Sequence, residues 1–213
     1  MVTSAPSSSK PLRIGLTGGI GSGKSSVAQL LGSHEAAIVD TDAISRRLTA
    51  TGGLAIPALR EAFGKQVITA GGALDREYMR HLVFDDPSAR RRLEAILHPM
   101  ISSEAEREAA AHTAARVIVF DVPLLVESGR WIDRVDRVLV VDCCEQTQIK
   151  RVVRRSGWSE DAVRSVIAAQ ATREQRRSVA DDLIVNDAIS PTQLAERVAA
   201  LWRAWCTPQT GPL

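Results

Sequence analysis

Residues 18–25 carry the pattern that points most directly to chemistry. They read Gly-Gly-Ile-Gly-Ser-Gly-Lys-Ser, which fits Gly-x-x-x-x-Gly-Lys-Ser/Thr at every fixed position and follows an apolar run at residues 12–16. Backbone N–H groups of such a loop surround phosphate oxygens, and the positive end of the next helix faces the same anion. The pattern predicts a nucleoside triphosphate site, and an ordinary glycine-rich turn is the less favoured interpretation.

Each residue type in this loop has a predicted task. Lys24 supplies a mobile positive charge, and the hydroxyl of Ser25 supplies an oxygen for Mg²⁺. Asp121, at the end of another apolar run, is a second candidate for the Mg²⁺ shell, directly or through water. The predicted nucleotide contacts are Gly19, Gly21, Ser22, Gly23, Lys24, Ser25 and Ser26.

Composition restricts the class of protein. The 213 residues are 45% apolar and carry a net charge of +2, which suits one α/β domain with insertions better than a dedicated nucleic-acid or membrane-surface binder. The three cysteines lack Cys-x-x-Cys spacing, so we expect a reducing compartment, the cytoplasm. Residues 1–11 are small and polar without an apolar signal segment, and we expect a disordered tail there.

Five short apolar runs alternate with helical patterns along the chain. We interpret them as the strands of the sheet that positions the phosphate loop. They lie at residues 12–16, 36–39, 117–120, 138–141 and 183–185. Nearly uninterrupted apolar strands are typical of parallel sheets buried on both faces, so we predict an α/β, P-loop NTPase fold with a doubly wound, parallel, five-stranded sheet. The last helix has Ser190, Pro191 and Gln193 as start signals, and its tryptophans are expected in the core.

About seventy residues separate the second and third runs, far more than a crossover needs. We predict a helical insertion at about residues 46–114, in which Asp75 caps a helix through Phe84 and Ser88 caps another through Leu97. An alanine-rich helix should follow at about residues 101–114. Such an insertion overhangs the carboxyl edge of the sheet, where open α/β folds bind ligands, and it is the expected platform for a second substrate.

A second helical departure follows the fourth run and is dense in arginine. Helices are expected at residues 146–156 and 159–170, with a break at Gly157-Trp158, and Thr172 with Gln175 forms a capping box for a third. The segment could close over the nucleotide as the lids of small kinases do. Its arginines are Arg151, Arg154, Arg155, Arg164, Arg173, Arg176 and Arg177.

The phosphate loop alone does not choose among GTPase switches, ATPase motors and small-molecule kinases. The chain has no Asn/Thr-Lys-x-Asp guanine motif and no Asp-x-x-Gly switch, and a motor would normally be larger, so a kinase is favoured. Asp40 and Asp42 follow the second run, and both would share a face if the strand continued. One of them could be the base that accepts a hydroxyl proton, or Asp42 could cap the segment starting near Ala43.

The ordered set of motifs closely resembles the dephospho-coenzyme A kinase family. It comprises residues 15–25, Asp40-Thr41-Asp42 with Arg46, His98-Pro99 and Pro123-Leu124-Leu125-x-Glu127, and the resemblance spans residues 12–205. It implies ATP-dependent phosphorylation of the ribose 3′-hydroxyl of dephospho-CoA, the last step of coenzyme A biosynthesis, with ATP and Mg²⁺ as cofactors. Neither nucleic acid nor a membrane is expected as a partner, and the oligomeric state stays open.

The resemblance also implies residue roles. Asp42 matches the catalytic base, Lys24 the phosphate-loop lysine and Arg151 the lid arginine. His98-Pro99 either shapes the acceptor region or forms a structural turn, and Glu127 orients a substrate hydroxyl or pairs with an arginine. Leu124 and Leu125 suit an apolar wall for adenine or pantetheine. The implied acceptor-binding set is Thr17, Asp42, Arg46, His98, Leu124, Leu125 and Glu127.

The resulting organisation is a kinase core at residues 12–45 and 115–213, a lid at about residues 146–178 and an acceptor-binding insertion at 46–114. Three features depart from the family pattern: the N-terminal tail, Thr41 between the aspartates, and Asn186-Asp187-Ala188, which lacks the glycine often found after this asparagine. A kinase for another nucleotide or small metabolite, and an ATP-binding regulatory protein, are the alternatives.

Overall fold

The computed structural model describes residues 10–207. In this range the chain forms two compact units: residues 10–39 with 112–207, here called the core unit, and Asp40–Ala111, called the helical unit. Most of the expected tail, residues 1–9, lies outside the described residues, and Lys10 and Pro11 directly precede the first strand. No described helix combines the length and the apolar character that crossing a membrane requires.

All five predicted strands are present, in the spatial order β2-β3-β1-β4-β5. Their bounds are β1 (Leu12–Gly18), β2 (Ala37–Asp40), β3 (Val117–Asp121), β4 (Arg137–Asp142) and β5 (Asp182–Val185). β1 pairs in parallel with both β3 and β4, and β4 pairs in parallel with β5. Every residue of β3 is buried, as expected for a strand covered on both faces. The predicted doubly wound parallel sheet is confirmed.

Ten α-helices lie within the described residues. They are α1 (Lys24–Ser33), α2 (Thr41–Leu48), α3 (Ile56–Phe63), α4 (Arg76–Asp85), α5 (Pro87–Ala111), α6 (Leu125–Ser128), α7 (Glu145–Ser156), α8 (Glu160–Ala169), α9 (Arg173–Ser178) and α10 (Pro191–Cys206). Two short 3-10 helices occur at Lys65–Val67 and Ile132–Arg134.

Helices α1 and α10 pack on each other and share one apolar core with the sheet. The start of α10 agrees with prediction: the Ser190 side chain accepts from the N–H of Gln193, and the capping box is complete. Trp202 and Trp205 are partly buried against this core, as expected. The indole N–H of Trp205 donates to Asp182 at 3.0 Å, so its polar end is also bound. α10 therefore holds α1, which begins at the phosphate loop.

Within the helical unit, the cap predicted for α4 is confirmed. The Asp75 side chain accepts a hydrogen bond from the N–H of Tyr78 at 2.9 Å, and α4 runs from the next residue to Asp85. A buried Met79 anchors the helix. The sequence signal of a capping aspartate before an amphipathic run was sufficient here.

Two predictions for the following segment were wrong. Instead of two helices separated near His98-Pro99, a single 25-residue helix, α5, runs through Pro99. Ser88 is not its cap, because the Asp86 carboxylate accepts from the N–H of Ser88 at 2.7 Å and so performs that role. The lost donor at Pro99 costs about 3 kcal/mol in a helix interior. Packing of α5 against α2 and α4 stabilises the helix as a whole.

The arginine-rich segment, residues 145–178, follows the predicted pattern. α7 ends at Gly157, which adopts a left-handed φ of 67°. Ser159 caps α8, and Thr172 with Gln175 forms the expected capping box of α9. A small apolar cluster of Ile149, Val152 and Val163 joins α7 to α8, so these two helices pack as one body.

Candidate active site at the phosphate loop

The phosphate loop connects the end of β1 at Gly18 to the start of α1 at Lys24. Gly21 and Gly23 have left-handed φ angles of 73° and 97°, which a side chain would strain. The N–H groups of Gly21, Gly23, Lys24 and Ser25 donate to no other described residue. Four unengaged donors around one turn, at the start of a helix, make a site for an anion such as a polyphosphate.

The carbonyl groups of the same loop are held by side chains from distant parts of the chain. The Nε2 of Gln148 donates to the carbonyl of Ile20 at 2.7 Å, and the Nδ2 of Asn186 donates to that of Ser22 at 2.8 Å. Gln148 and Asn186 are both buried. The loop backbone is therefore fixed by bonds to its acceptors while several of its donors stay available.

Lys24 ion-pairs with Asp121, the last residue of β3. Both side chains are largely buried, with 15% and 12% of their surfaces exposed, so little water screens the pair. The parallel register places Asp121, at the end of β3, beside Leu16 of β1. Lys24 follows β1 in the chain, so the register brings the carboxylate close to the lysine. The predicted position of Asp121 at the phosphate site is consistent with this contact.

Arg151 of α7 contacts the loop directly. Its guanidinium donates to the carbonyls of Gly21 and Ser22 at 3.3 and 3.2 Å, and to the carbonyl of Asn186 at 3.0 Å. The side chain thus carries a positive charge to the loop while bridging it to the end of β5. Such a cation beside a phosphate site could stabilise charge on a bound anion.

Other arginines of the same segment have internal partners. Arg173 binds the buried carboxylate of Asp142 through three hydrogen bonds of 2.8 to 2.9 Å, which raise the pKa of this guanidinium further. Arg177 lies 3.9 Å from the same carboxylate, and Arg164 lies 3.7 Å from Glu160. Arg176 is buried and donates to the carbonyl of Ala171. In this structure Arg173 and Arg177 tie the segment to the end of β4, and Arg164 and Arg176 stabilise the segment from within.

A cavity of about 770 Å³ opens beside the loop. Its floor includes Gly21, Gly23 and Ser26, and Arg151, Arg154 and Arg155 line another side. Ile189, Pro191 and Leu194 supply apolar surface from the start of α10. The volume suits a nucleoside, and the mixture of apolar and cationic walls suits one that carries phosphates.

The carboxylates of Asp40 and Asp42, both in the helical unit, differ in the contacts that they make. β2 ends at Asp40 and α2 begins at Thr41, so the strand does not continue to Asp42 and the condition for a shared strand face is not met. Asp40, not Asp42, caps the helix: its carboxylate accepts from the N–H of Ala43 at 2.9 Å and lies 3.5 Å from Arg46. Asp42 is exposed in the first turn of α2 and engages no other described residue.

The Pro-Leu-Leu-x-Glu segment is tied to β1 and to the arginine-rich segment. The Thr17 hydroxyl, fully buried, donates to the carbonyl of Pro123 at 3.2 Å. Leu125 is also buried and packs beside Gly15, whereas Leu124 is half exposed. Among residues 10–207, Glu127 forms no ion pair with an arginine; its carboxylate accepts from the N–H of Ala171 at 2.8 Å, between α8 and α9. Only Leu124 of the two leucines presents a surface for a ligand wall.

The oxygen donors fit a Mg²⁺ ion that arrives with a nucleotide. The Ser25 hydroxyl is exposed at the start of α1. The Asp121 carboxylate is placed at the loop by its ion pair with Lys24. The described residues include no group of three or more His, Cys, Asp or Glu side chains arranged to hold a metal ion by themselves. Mg²⁺ commonly keeps water and takes phosphate oxygens alongside one or two protein ligands, which is the set available here.

Sequence reasoning missed Gln148 and Gln170, and it named Asn186 only as part of a family motif, without its contact to the loop. Gln170 accepts from the N–H of Ile20 at 2.9 Å, so two glutamines hold one loop residue. Gln148 did leave a signal: it is an uncharged polar residue on the face of α7 that also buries Ile149 and Val152. A glutamine within an apolar stripe needs a buried partner, and the loop carbonyl is that partner.

Comparison with known proteins agrees with this geometry. Residues 12–191 match the sequence profile of the dephospho-CoA kinase family. A dephospho-CoA kinase of Burkholderia lata is 57% identical over 188 residues, covering 88% of this chain and 93% of that protein. The crystal structure of TT1252 from Thermus thermophilus has a TM-score of 0.83 at 33% identity, covering 93% of this chain and all of that one.

More distant structures share the fold. A dephospho-CoA kinase from Campylobacter jejuni superimposes with a TM-score of 0.63 at 19% identity, covering 92% of this chain and 98% of that one. The profile match covers well over half of the 213 residues and includes the phosphate loop, the aspartate pair and the arginine-rich segment. The chain belongs to the dephospho-CoA kinase family.

Proposed function

We propose that the protein transfers the γ-phosphoryl group of ATP to the ribose 3′-hydroxyl of dephospho-CoA, giving coenzyme A and ADP. This is the last step of coenzyme A biosynthesis. One observation carries the proposal: a phosphate loop with unengaged N–H groups and Lys24 at its end lies within a family match over residues 12–191. The loop supplies the donor site, and family membership supplies the acceptor.

ATP would place its phosphates in the loop and its adenosine in the adjoining cavity of about 770 Å³. The free N–H groups of Gly21, Gly23, Lys24 and Ser25 would then meet phosphate oxygens. Lys24, which pairs with Asp121 in this structure, would also contact the phosphates. Because its side chain is largely buried, its attraction to the phosphates would be stronger than in water. Preformed donors of this kind lose little entropy on binding.

In the transfer step, the bond between the γ-phosphorus and the bridging oxygen breaks while a bond to the 3′-oxygen forms. Asp42 would accept the hydroxyl proton, and ADP would leave with the bridging oxygen and its electron pair. What supports this role is that the Asp42 carboxylate is exposed and has no competing partner among the described residues. Arg151 would stabilise the charge that spreads over the phosphoryl oxygens.

Bound Mg²⁺ would neutralise charge on the ATP phosphates. The residues that fit it are Ser25, through its exposed hydroxyl, and Asp121, through its carboxylate. The metal would complete its coordination with phosphate oxygens and water rather than with further protein ligands.

The acceptor side of the proposal follows the family motifs. We assign residues 46–114 to acceptor binding, residues 12–45 with 115–213 to the kinase core and residues 146–178 to a lid. Of the set that the family motifs imply, Asp42, Arg46, His98, Leu124 and Glu127 would contact the acceptor. Thr17 and Leu125 are buried and would support the Pro-Leu-Leu segment instead. The exposed guanidinium of Arg46 suits an anionic substrate, and the half-exposed Leu124 suits an apolar part of it.

For the cellular location of the protein we propose the cytoplasm. This is supported by its three cysteines, which are free thiols, as expected in a reducing compartment.

Incubation with MgATP and dephospho-CoA, followed by mass spectrometry, tests the function. Parallel reactions contain no acceptor, AMP or adenosine. We expect coenzyme A with equimolar ADP only where dephospho-CoA is present. Phosphorylation of AMP instead would identify a kinase for another nucleotide, equal ADP release without acceptor would identify an ATPase, and bound but unreacted ATP would identify a regulatory protein.

A further inference from the structure

Gln148 holds the phosphate loop at one peptide group. It lies on α7 with 2% of its surface exposed, and its Nε2 donates to the carbonyl of Ile20 at 2.7 Å. A carbonyl oxygen can only accept, so the amide nitrogen must face it. A buried, hydrogen-bonded amide of this kind fixes the direction of its partner.

The peptide group between Ile20 and Gly21 also contains the N–H of Gly21. In a planar trans peptide the C=O and N–H bonds point in opposite directions. Because Gln148 holds the carbonyl on one side, the N–H of Gly21 must point to the other, and it donates to no other described residue. We propose that Gln148 is a positioning residue that aims the N–H of Gly21 at the phosphates of ATP. This inference rests on the proposed function.

A second glutamine fixes the preceding peptide group. The N–H of Ile20 donates to the Oε1 of Gln170 at 2.9 Å, at the end of α8. The side chain of Ile20 packs on the apolar cluster that joins α7 to α8. Both polar groups and the side chain of Ile20 are therefore held by the arginine-rich segment, and this part of the loop cannot rotate without breaking those contacts.

Gly19 supplies independent support. The general pattern of phosphate loops leaves this position free, yet a Cβ there would collide with the Nε2 of Gln148 and lie 2.9 Å from a guanidinium nitrogen of Arg176. A side chain at position 19 would thus displace the amide from the Ile20 carbonyl. Gly19 leaves room for the close approach of Gln148, whereas Gly21 is required by its left-handed φ of 73°.

The decisive experiment uses protein labelled with ¹⁵N-glycine and compares amide resonances with and without MgADP. Gln148→Met keeps the side-chain length and removes the donor. In the wild type, the Gly21 and Gly23 amide protons should both move downfield as they bind phosphate. In Gln148→Met the Gly21 proton should lose this shift, while Gly23, aimed by Asn186 through the Ser22 carbonyl, should keep it.

The same variant should bind MgADP roughly ten- to a hundredfold more weakly, the effect of losing one hydrogen bond to a charged group. Gln146→Met, an exposed position on the same helix, is the matched control and should match the wild type. If Gln148→Met does not fold, Gln148→Leu decides, because it also removes the donor from the Ile20 carbonyl while filling the buried position with an apolar side chain. A reduced Gly21 shift in that variant supports the proposal.

Two failures are distinguishable. If wild-type protein binds no MgADP and none of its glycine amides move, the proposed function is overturned. If the wild type binds MgADP but Gly21 shifts equally in the wild type and in whichever Gln148 variant folds, the role of Gln148 is overturned while the function stands. A merely structural glutamine would lower the melting temperature and leave the Gly21 shift intact.

Discussion

The phosphate loop and the turn between β2 and α2 both carry polar groups for the proposed chemistry, but they are held differently. In the loop, buried side chains bind the carbonyls of Ile20 and Ser22 and leave N–H groups available. In the turn, Asp40 is committed to the helix cap and to Arg46, whereas Asp42 engages no described residue. One region has a fixed backbone, and the other has a free side chain.

The contrast follows from what each task requires. Phosphate recognition gains from donors fixed before the ligand arrives, because reorienting them would cost free energy during the reaction. A general base must instead take up a proton, and a carboxylate already engaged in a cap would lose those bonds on protonation. The structure therefore assigns capping to Asp40 and favours Asp42 as the residue available for chemistry.

Removing the positive charge of Lys24 should have the largest effect on the kinetics. Lys24→Ala loses contacts to both the ground state and the transition state, so kcat/KM for ATP should fall on the order of 10⁴-fold. ADP binding measured by calorimetry should weaken as well. Lys65→Ala, at an exposed position in a 3-10 helix, is the control and should behave as the wild type. Unchanged kinetics in Lys24→Ala would contradict the phosphate-loop assignment.

Arg151→Ala should separate turnover from binding. A cation that acts on the transferring phosphoryl group contributes on the order of 10³-fold or more to kcat, and we expect that loss with a change in ATP KM below about tenfold. Steady-state kinetics with Arg164→Ala as the control measure this directly. Since Arg151 also binds two loop carbonyls, a large KM effect with kcat retained would make it a support of the loop instead.

Asp42→Asn and Asp40→Asn test the turn itself. Asp42→Asn cannot accept the proton, so kcat should fall by roughly 10²- to 10³-fold with the melting temperature unchanged. Asp40→Asn should keep most of the activity, because asparagine caps a helix nearly as well as aspartate. Reversed results would make Asp40 the base and show that a carboxylate committed to a cap can still do the chemistry.

A smaller effect concerns the support that Asn186 gives the loop. Ala188, two residues later, has a left-handed φ of 48°, which strains a residue with a Cβ. Ala188→Gly should raise the free energy of unfolding in urea by about 0.5–1 kcal/mol. Ala200→Gly, at an exposed position inside α10, should lower it by about 1 kcal/mol. A loss at position 188 would mean that this turn is not strained.

A last prediction concerns a thiol behind the loop and affects labelling rather than activity. The Sγ of Cys143 lies 3.9 Å from the carbonyl of Gly21, and burial raises the pKa of this thiol to about 11. Because a raised pKa keeps the thiol protonated until the pH approaches that value, iodoacetamide at pH 8 should label Cys143 at least roughly a hundredfold more slowly than Cys206. Peptide mass mapping over time compares the two sites. Equal rates would indicate that the loop opens frequently.

Much of this architecture could be predicted from local sequence. The five strands, the caps at Asp75, Thr172 and Ser190, and the phosphate loop all depend on residues within a few positions of one another. The break predicted near Pro99 was wrong because tertiary packing of α5 outweighed the cost of the proline.

The supports of the loop could not be predicted in the same way. Gln148 is 128 positions from Ile20, and Asn186 is 164 positions from Ser22. Only the fold brings such residues together, so their roles require coordinates. The choice between Asp40 and Asp42 also depended on one detail, the end of β2 at Asp40, which residue spacing left open.

The most direct test of the proposed reaction is the site of phosphorylation. Phosphorus NMR of a reaction containing wild-type protein, MgATP and dephospho-CoA should show the ATP γ-phosphate disappear as one new phosphomonoester appears, and its coupling should assign it to the ribose 3′-oxygen. A monoester at another position would contradict the proposed acceptor, and appearance of inorganic phosphate alone would contradict kinase function.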